Sequence, residues 1–283
     1  MRIRRLLHFA IWSCAIAFWS ATAQAAISCS VTPSGFTSVY DPAAALPTDN
    51  VSSVTINCLR AVGDPGTTTY SLAANNGVNR AGQTNRARSA AGGLIRYDVY
   101  KDAARAVLWG PSARGADMTG TISFGTGTSA SMTLPYYSRI SAGQVAAAGS
   151  YTDTVTVTLT YSGTRIVTNT FPVLILVSPS CQFSTPPGTL AFTYASFQVA
   201  AANASTPFAT LCTSGLPYTL SLDTTSGTLL GISYTLALSA SASTGTGAAQ
   251  AFSVNGSIAG GQAGTCATGT CTASNVHTLM ITY

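Results

Sequence analysis

The chain has 283 residues, of which 7% are charged, and its acidic side chains are all aspartates. About a quarter of the residues of an average soluble domain are charged, and long helices favour Glu, Lys, Leu and Arg, so the composition argues against a mainly helical protein. Two histidines and no glutamate exclude a metal site built from several His or Glu side chains, and no strongly basic surface for nucleic acid is evident. We therefore expect no metal, no other cofactor and no nucleic-acid partner.

The first 25 residues have the pattern of a secretory signal peptide. A basic stretch at residues 1–5 precedes an apolar run at residues 6–20, and Ala23-Gln24-Ala25 is an A-x-A cleavage signal. The apolar run is too short to span a bilayer comfortably, and a membrane anchor is the alternative interpretation. Cleavage after Ala25 leaves ten basic and eight acidic residues, so the basic isoelectric point of the whole chain predicts no charged partner.

Landmarks recur in the same order in two parts of the chain. A pair of cysteines 29 residues apart in one part corresponds to a pair 31 residues apart in the other. SRISAGQ at 138–144 matches GSIAGGQ at 256–262, and strands ending in Thr-Tyr close both parts, at Tyr161 and Tyr283. The matching order predicts two copies of one domain.

Six cysteines remain in the exported chain, and an even number in such a chain predicts disulfides. Their number alone allows many pairings, but the repeat favours one of them. The simplest set of bonds is Cys29–Cys58, Cys181–Cys212 and Cys266–Cys271.

Apolar residues recur at every second position, which is the period of a half-buried strand. In the strand that closes the first copy, Val155, Val157, Leu159 and Tyr161 share one face, and threonines occupy the other. Many such short strands, separated by Gly, Asn and Pro turns, predict an all-β protein with two immunoglobulin-like β-sandwich domains.

The two copies end differently. After Tyr161 a Ser-Gly turn leads into one more strand at 164–177, whereas the second copy stops at Tyr283. We therefore expect a complete domain at 26–178 and, at 179–283, a domain without its final strand.

A sandwich without its last strand exposes an apolar groove, and a strand from another protein would fill it. Leu279, Ile281 and Tyr283 are expected to line this groove, since they match Val157, Leu159 and Tyr161. A truncated last strand, or one swapped within a dimer, is the alternative.

The predicted mature N-terminus is short. Residues 26–28 alone precede Cys29, whereas a subunit that donates a strand to its neighbour needs an extension of about ten residues. We expect this chain to accept a strand without donating one, and therefore to lie at one end of a polymer.

Four features resemble a known family: the spacing of Cys29 and Cys58, LIRYDVYKD at 94–102, VLWG at 107–110 and YTDTVTVTLTY at 151–161. They are similar to the spore coat protein U domain, which archaic, Csu-type chaperone–usher pilus subunits use. The second copy resembles it less, because it lacks VLWG.

The resemblance implies a tip adhesin whose first domain binds and whose second domain is the pilin domain, with a role in attachment and biofilm formation. The partners it implies are a periplasmic chaperone, an outer-membrane usher, the adjacent pilin and an unknown surface or receptor. It also implies export through the periplasm to the pilus tip at the cell surface. The alternative function is a structural spore-coat-type or extracellular matrix protein without a receptor.

No set of residues indicates catalysis, and the protein is expected not to be an enzyme. His277 is the one histidine left after cleavage, and a place on a strand explains it better than a Ser-His-Asp device. A surface hydrolase is therefore a distant third function.

An adhesive surface is expected at the end of the first domain that lies farthest from the second. Counting strands back from the Ser162-Gly163 turn, and changing ends at each hairpin, places the loops at 60–66, 101–105 and 125–130 there. The candidate adhesive residues are the small apolar residues Ala61, Val62, Ala103 and Ala104, which suit apolar surfaces. The alternative is that they are ordinary turn residues.

Overall fold

The structure is a computed structural model that describes residues 26–110 and 115–283. The predicted signal peptide at 1–25 therefore lies outside the described residues. The described part of the chain forms eighteen strands and no helix, so the all-β prediction is confirmed. It contains no helical segment long and apolar enough to cross a membrane. We refer to residues 26–178 and 179–283 as the first and second repeats; these boundaries stay a prediction.

The first repeat contains ten strands. They are β1 (Ser28–Pro33), β2 (Phe36–Tyr40), β3 (Thr48–Leu59), β4 (Thr67–Ala74), β5 (Asn85–Ser89), β6 (Leu94–Tyr100), β7 (Met118–Ser123), β8 (Ser129–Ile140), β9 (Gly149–Tyr161) and β10 (Arg165–Val177). The order across the sheet is β1-β3-β8-β6-β5-β9-β10-β2, while β4 pairs with β9 and β7 with β4.

The first sheet curls so that its two arms face each other. Tyr136 on β8 packs against Phe171 on β10, with 5.1 Å between ring centroids, and Phe36 on β2 lies 5.8 Å from Tyr97 on β6. Strand β5 joins the arms, since it pairs with β6 on one side and β9 on the other. The inward faces of both arms therefore share one core, as in an immunoglobulin-like sandwich.

The second repeat contains eight strands. They are β11 (Cys181–Thr185), β12 (Ala202–Cys212), β13 (Pro217–Leu222), β14 (Ser226–Leu229), β15 (Ile232–Leu238), β16 (Ala242–Thr244), β17 (Ala249–Ile258) and β18 (Leu279–Thr282). They form two sheets, with the orders β11-β12-β17-β15-β14 and β16-β13-β18.

Strand pairing in the second repeat follows that of the first. The order β1-β3-β8-β6-β5 corresponds to β11-β12-β17-β15-β14, and β7-β4-β9 corresponds to β16-β13-β18. The register agrees as well: Leu72 on β4 lies opposite Leu159 on β9, and Leu220 on β13 lies opposite Ile281 on β18. Two copies of one strand arrangement thus occur in the chain.

The two cores differ in how completely they are closed. Of the described residues, thirty-one hydrophobic side chains of the first repeat are buried in one cluster, and four more pack against it half-buried. In the second repeat eight are buried and thirteen are half-buried. Most of the second core is therefore partly open to solvent.

Candidate functional site

Strand β10 is paired on both of its edges in the first repeat. It pairs antiparallel with β9 along all thirteen residues of both strands, and parallel with β2 on its other edge. Four of its side chains point into the core and are at most 4% exposed: Phe171, Val173, Ile175 and Val177. The strand thus contributes both a row of backbone hydrogen bonds and a row of apolar side chains.

Strand β18 is the counterpart of β9, and one of its edges is unpaired. Among the described residues it pairs with β13 alone. Leu279 and Ile281 are half-buried and Tyr283 is 59% exposed, whereas their counterparts Val157, Leu159 and Tyr161 are at most 6% exposed. The predicted groove residues therefore lie beside an open strand edge and an incompletely covered core.

We call the open space beside the unpaired edge of β18 the gap. Its opposite wall is formed by residues 190–194, which sequence reasoning missed. Leu190, Phe192 and Tyr194 are half-buried against the second core, while Ala191 and Thr193 between them are exposed. The alternation is that of a strand, yet these residues belong to none of the strands. The segment is the counterpart of β2, whose one strand partner among the described residues is β10.

The hydrogen bonds of one glutamine in each repeat support this correspondence. In the first repeat, the Gln144 backbone N–H donates to the Tyr40 hydroxyl at 2.7 Å, and its side chain bonds the backbone N–H and carbonyl of Arg96 at 2.8 and 2.9 Å. Gln262 makes the same three bonds, to Tyr194 at 2.8 Å and to Ser233 at 2.7 and 2.9 Å. The match of SRISAGQ with GSIAGGQ is the sequence signal for this contact.

A chain of polar groups lies just before β18. The His277 imidazole is 3.1 Å from an Asp223 carboxylate oxygen through Nδ1, and 2.7 Å from the Tyr234 hydroxyl through Nε2. The Asn275 amide also donates to that hydroxyl, at 2.8 Å. Although desolvation acts to raise it, the pKa of Asp223 is lowered by its bonds to His277 and to backbone N–H groups. These bonds fix the chain where it turns into β18.

Three disulfides connect the six cysteines of the described residues, and Cys14 lies outside these residues. Cys29–Cys58 links β1 to β3, and Cys181–Cys212 links β11 to β12 at the equivalent place. Cys266–Cys271 closes a short loop ahead of β18. Among the described residues, no three His, Cys, Asp or Glu side chains form a group that could hold a metal ion.

Ala61 and Val62 lie in a turn at one end of the first repeat. The Arg60 side chain fixes this turn by donating to the carbonyls of Gly127 and Asp64, both at 2.8 Å, and it stacks over the Phe124 ring. The Val62 side chain is 93% exposed. The turns at 60–66 and 124–128 are therefore adjacent.

The turn between β9 and β10 lies at the same end. Thr68 and Ser162 join their hydroxyls at 3.0 Å, and the Phe124 N–H donates to the Gly66 carbonyl. Strand β9 begins and β10 ends at the opposite side of the sheet from this turn. The chain therefore leaves β10 toward the second repeat at the side away from these turns. This group of turns is the end that was predicted to be distal.

Ala103 and Ala104 do not lie with Ala61 and Val62, so the predicted joint surface is wrong. The Arg105 side chain bonds the carbonyls of Asn50 and Ser138. Asn50 and Ser138 face each other near the start of β3 and the end of β8, whereas the turn at 60–66 follows the end of β3. The nine residue steps from Asn50 to Leu59 span about 30 Å. The alternating count fails because β6 does not run the length of the sheet: it pairs with β8 only opposite residues 137–139, near the end of β8, and the chain turns there.

Comparisons with known proteins agree with this architecture. The family model of the Spore Coat Protein U domain matches residues 15–158 and 167–240. No match was found among curated protein sequences.

Two matches to solved structures illustrate this, and the first of them supports similarity in fold. A chain of the CsuC–CsuE chaperone–tip adhesion subunit pre-assembly complex, from the archaic chaperone–usher Csu pili of Acinetobacter baumannii, is 15% identical with a TM-score of 0.51. The match covers 90% of this chain and 100% of that one. The CupB6 tip adhesin from Pseudomonas aeruginosa is 10% identical with a TM-score of 0.38, over 92% of this chain and 96% of that one.

Proposed function

Because the chain belongs to the spore coat protein U domain family, we propose that it is the tip subunit of a pilus of chaperone–usher type. In this proposal residues 26–178 form the adhesive domain, and residues 179–283 form a pilin-like domain that accepts a strand from the next pilin. The observation that carries the proposal is the gap between β18 and residues 190–194, at the place that β10 fills in the first repeat.

The first repeat defines what the gap would accept. A donor strand would run antiparallel to β18 and parallel to residues 190–194, as β10 runs beside β9 and β2. It would present apolar side chains at alternate positions, in the manner of Phe171, Val173 and Ile175. Main-chain bonds to both walls would give affinity, and the alternating side chains would give register.

A donor strand would also lengthen β18. Strand β9 is ordered over thirteen residues, and its first part pairs with the apolar part of β10: Phe171 lies opposite Val155 and Ile175 opposite Tyr151. Strand β18 has four residues and begins at Leu279. We expect residues 272–278 to become a strand when the gap is filled.

Partners and location follow from this assembly route. An open apolar edge needs cover before assembly, and a periplasmic chaperone is the proposed cover. The fold similarity to a chain of a chaperone–tip adhesion subunit pre-assembly complex supports this step. An outer-membrane usher and the adjacent pilin complete the set of partners, and the mature protein would lie at the cell surface, where it mediates attachment and biofilm formation.

The adhesive surface is proposed at the turns 60–66, 124–128 and 162–164. Val62 and Leu59 are 93% and 64% exposed there. Burial of such side chains against an apolar surface is favourable by about 25 cal/mol per Å². Ala61 and Val62 remain in the candidate site, and Ala103 and Ala104 are omitted from it.

A fusion within one chain tests strand acceptance. A copy of residues 162–177 placed after Tyr283 would supply to the second repeat the turn and strand that follow Tyr161 in the first. We expect the fused chain to be soluble without a chaperone and to unfold at a clearly higher temperature than the unfused chain. The matched control carries serine in place of the copied Phe171, Val173, Ile175 and Val177.

If the fusion and its serine control have the same solubility and melting temperature, strand acceptance is refuted. The structural coat or matrix function would then be favoured, since it requires no donor strand.

A further inference from the structure

Four arginines lie together on the outer side of the β5–β6 hairpin and in the loop before it. Arg86 on β5 lies directly opposite Arg96 on β6, and Arg88 follows two residues later on the same side of β5. The Arg86 guanidinium donates to the backbone carbonyls of Asn79 and Arg80 at 3.0 and 3.1 Å. Arg80, Arg88 and Arg96 are exposed. We call these four residues the arginine face.

The charge of the arginine face is not neutralised by ion pairs. Salt bridges within the described ranges involve Arg105, Arg139 and His277, and none of the four. The partners of the Arg86 guanidinium are neutral carbonyls.

Two carboxylates lie in this part of the sheet. Asp153 is 3% exposed, and its oxygens accept hydrogen bonds from the Tyr97 hydroxyl and the Val78 and Asn79 N–H groups. Asp98 follows Arg96 by two residues on the same side of β6 and lies opposite Arg139, so one half-buried carboxylate lies beside the four guanidinium groups. The face therefore keeps an excess of positive charge.

The second repeat shows that the hairpin does not need these arginines. The β14–β15 hairpin has the same register, with Gly227 opposite Tyr234 where Asn85 lies opposite Tyr97. At the place of the Arg86–Arg96 pair it has Thr228 opposite Ser233.

Like charges directly opposite each other destabilise a pair of strands. The neutral Ser233 makes the same backbone contacts with a glutamine as Arg96 does. Because a neutral pair fits the fold, stability of the hairpin does not account for the two opposed arginines.

Positive charge is confined to one repeat. Residues 26–178 contain nine arginines, one lysine and seven aspartates, whereas Asp223 is the one acidic residue of 179–283, which contain no Lys or Arg. The cations are thus located in the repeat proposed to meet the surface.

We propose that the arginine face binds an acidic polysaccharide of the extracellular environment. The planar guanidinium pairs with carboxylate through two parallel hydrogen bonds, and a row of arginines on a two-stranded ribbon matches a polymer with repeated carboxylates. Residues 26–178 carry seven aspartates beside their ten cations, whereas a nucleic-acid binder needs a strongly basic surface. The proposal uses the cell-surface location from the proposed function, but it is independent of strand acceptance.

Binding of the full exported chain to immobilised polygalacturonate tests the proposal, with neutral dextran and duplex DNA as comparison polymers. We expect binding to polygalacturonate that weakens as salt rises from 50 to 300 mM, because screening reduces the attraction of exposed charges. The variant R86T/R96S, which has the residue types of the β14–β15 hairpin, should bind about 5- to 10-fold more weakly. Unchanged melting temperature would show that it still folds.

R165T is the control for net charge, since Arg165 is exposed at the start of β10 and outside the face. It should bind polygalacturonate as the parent chain does, while R96S binds more weakly. Equal losses for R165T and R96S, or no binding by the parent chain, would overturn the proposal. Binding to duplex DNA at 150 mM salt as tight as to polygalacturonate would overturn the choice of a polysaccharide.

Strand acceptance fails or succeeds in a different measurement, namely the stability of the chain with the copied strand. The two proposals are therefore refuted separately.

Discussion

The Gln262 backbone N–H donates a hydrogen bond of 2.8 Å to the Tyr194 hydroxyl, and this bond ties residues 190–194 to the loop after β17. The corresponding pair in the first repeat, Gln144 and Tyr40, is joined at 2.7 Å. In the first repeat the tyrosine ends a strand that β10 holds in place. In the second, where the β10 counterpart is missing from the described residues, the glutamine contact keeps this wall of the gap in position.

Replacing Gln262 with alanine keeps the backbone N–H that bonds Tyr194 but removes the side chain that holds its loop in place, so it is expected to loosen that wall. Its side-chain bonds to Ser233 and Ala259 would be lost, at a cost of about 1–2 kcal/mol in the free energy of unfolding of the second repeat. The loss is measured by denaturant unfolding of the chain that carries the copied strand after Tyr283.

Gln144→Ala is the matched control for this variant, because it removes the same bonds in the first repeat. Hydrogen exchange should show Gln262→Ala raising exchange at residues 190–194, and Gln144→Ala leaving it unchanged. Equal protection of this segment in both variants would contradict the assignment.

Ile281→Asp should prevent strand acceptance. The Ile281 side chain is directed to the second core, and a donor strand would enclose an aspartate there without a partner, at a cost of about 3–5 kcal/mol. Met280→Asp is the control, since Met280 on the same strand points outward and is 47% exposed. Incorporation into pili in cells measures the effect, and normal assembly of Ile281→Asp would exclude this groove as the acceptor.

The disulfides are expected to be separable by repeat. Removing Cys181–Cys212 by paired serine substitutions should lower the stability of the second repeat by about 3–4 kcal/mol, since the closed loop has about thirty residues. Removing Cys29–Cys58 should act on the first repeat to a similar extent. Peptide mapping of the oxidised protein tests the pairing itself, and a disulfide between the repeats would refute it.

Acid should weaken the contact between β3 and the loop at 101–106. The two hydrogen bonds from Arg139 hold the pKa of Asp49 below its ordinary value, with a further contribution from Arg105 at 3.3 Å. A carboxylate whose folded pKa is depressed stabilises the fold above its unfolded pKa of about 3.9, and the contribution is lost as pH falls through the folded value.

Asp49→Asn is therefore expected to reduce the loss of stability below about pH 4, measured by thermal unfolding from pH 7 to pH 2. Its stability at pH 7 should be lower than that of the parent chain. An unchanged acid limb would show that Asp49 does not contribute to it.

Much of the fold could be predicted from local patterns. The period of two in Val155, Val157 and Leu159 predicts a strand whose register depends on one buried face, and the structure buries all three completely. The order of the cysteine pairs and of the strands that end in Thr-Tyr predicts the repeat, because these landmarks occupy equivalent strands in the two copies.

Other features depend on contacts between distant parts of the chain. Ala103 and Ala104 were misplaced because the path of β6 depends on its pairing with both β5 and β8, which hairpin counting does not include. Residues 190–194 were missed because a strand is recognised by its partners, and the partner strand of this segment is not among the described residues.

Val62→Ser should reduce attachment to apolar surfaces such as polystyrene. The Val62 side chain is 93% exposed in a turn that Arg60 fixes, so the substitution removes apolar area without removing a core contact. Val78→Ser is the matched control, because Val78 is 69% exposed in the loop bound by Asp153, near the start of β9 and away from the predicted distal end.

Retention of piliated cells under flow measures attachment. We expect Val62→Ser to retain fewer cells while assembling the same amount of pilus, and Val78→Ser to behave as the parent chain. If both variants retain as many cells as the parent chain, the turn at 60–66 is excluded as the adhesive surface. If both lose cells to the same extent, the cause is a general effect of surface hydrophobicity and not this turn.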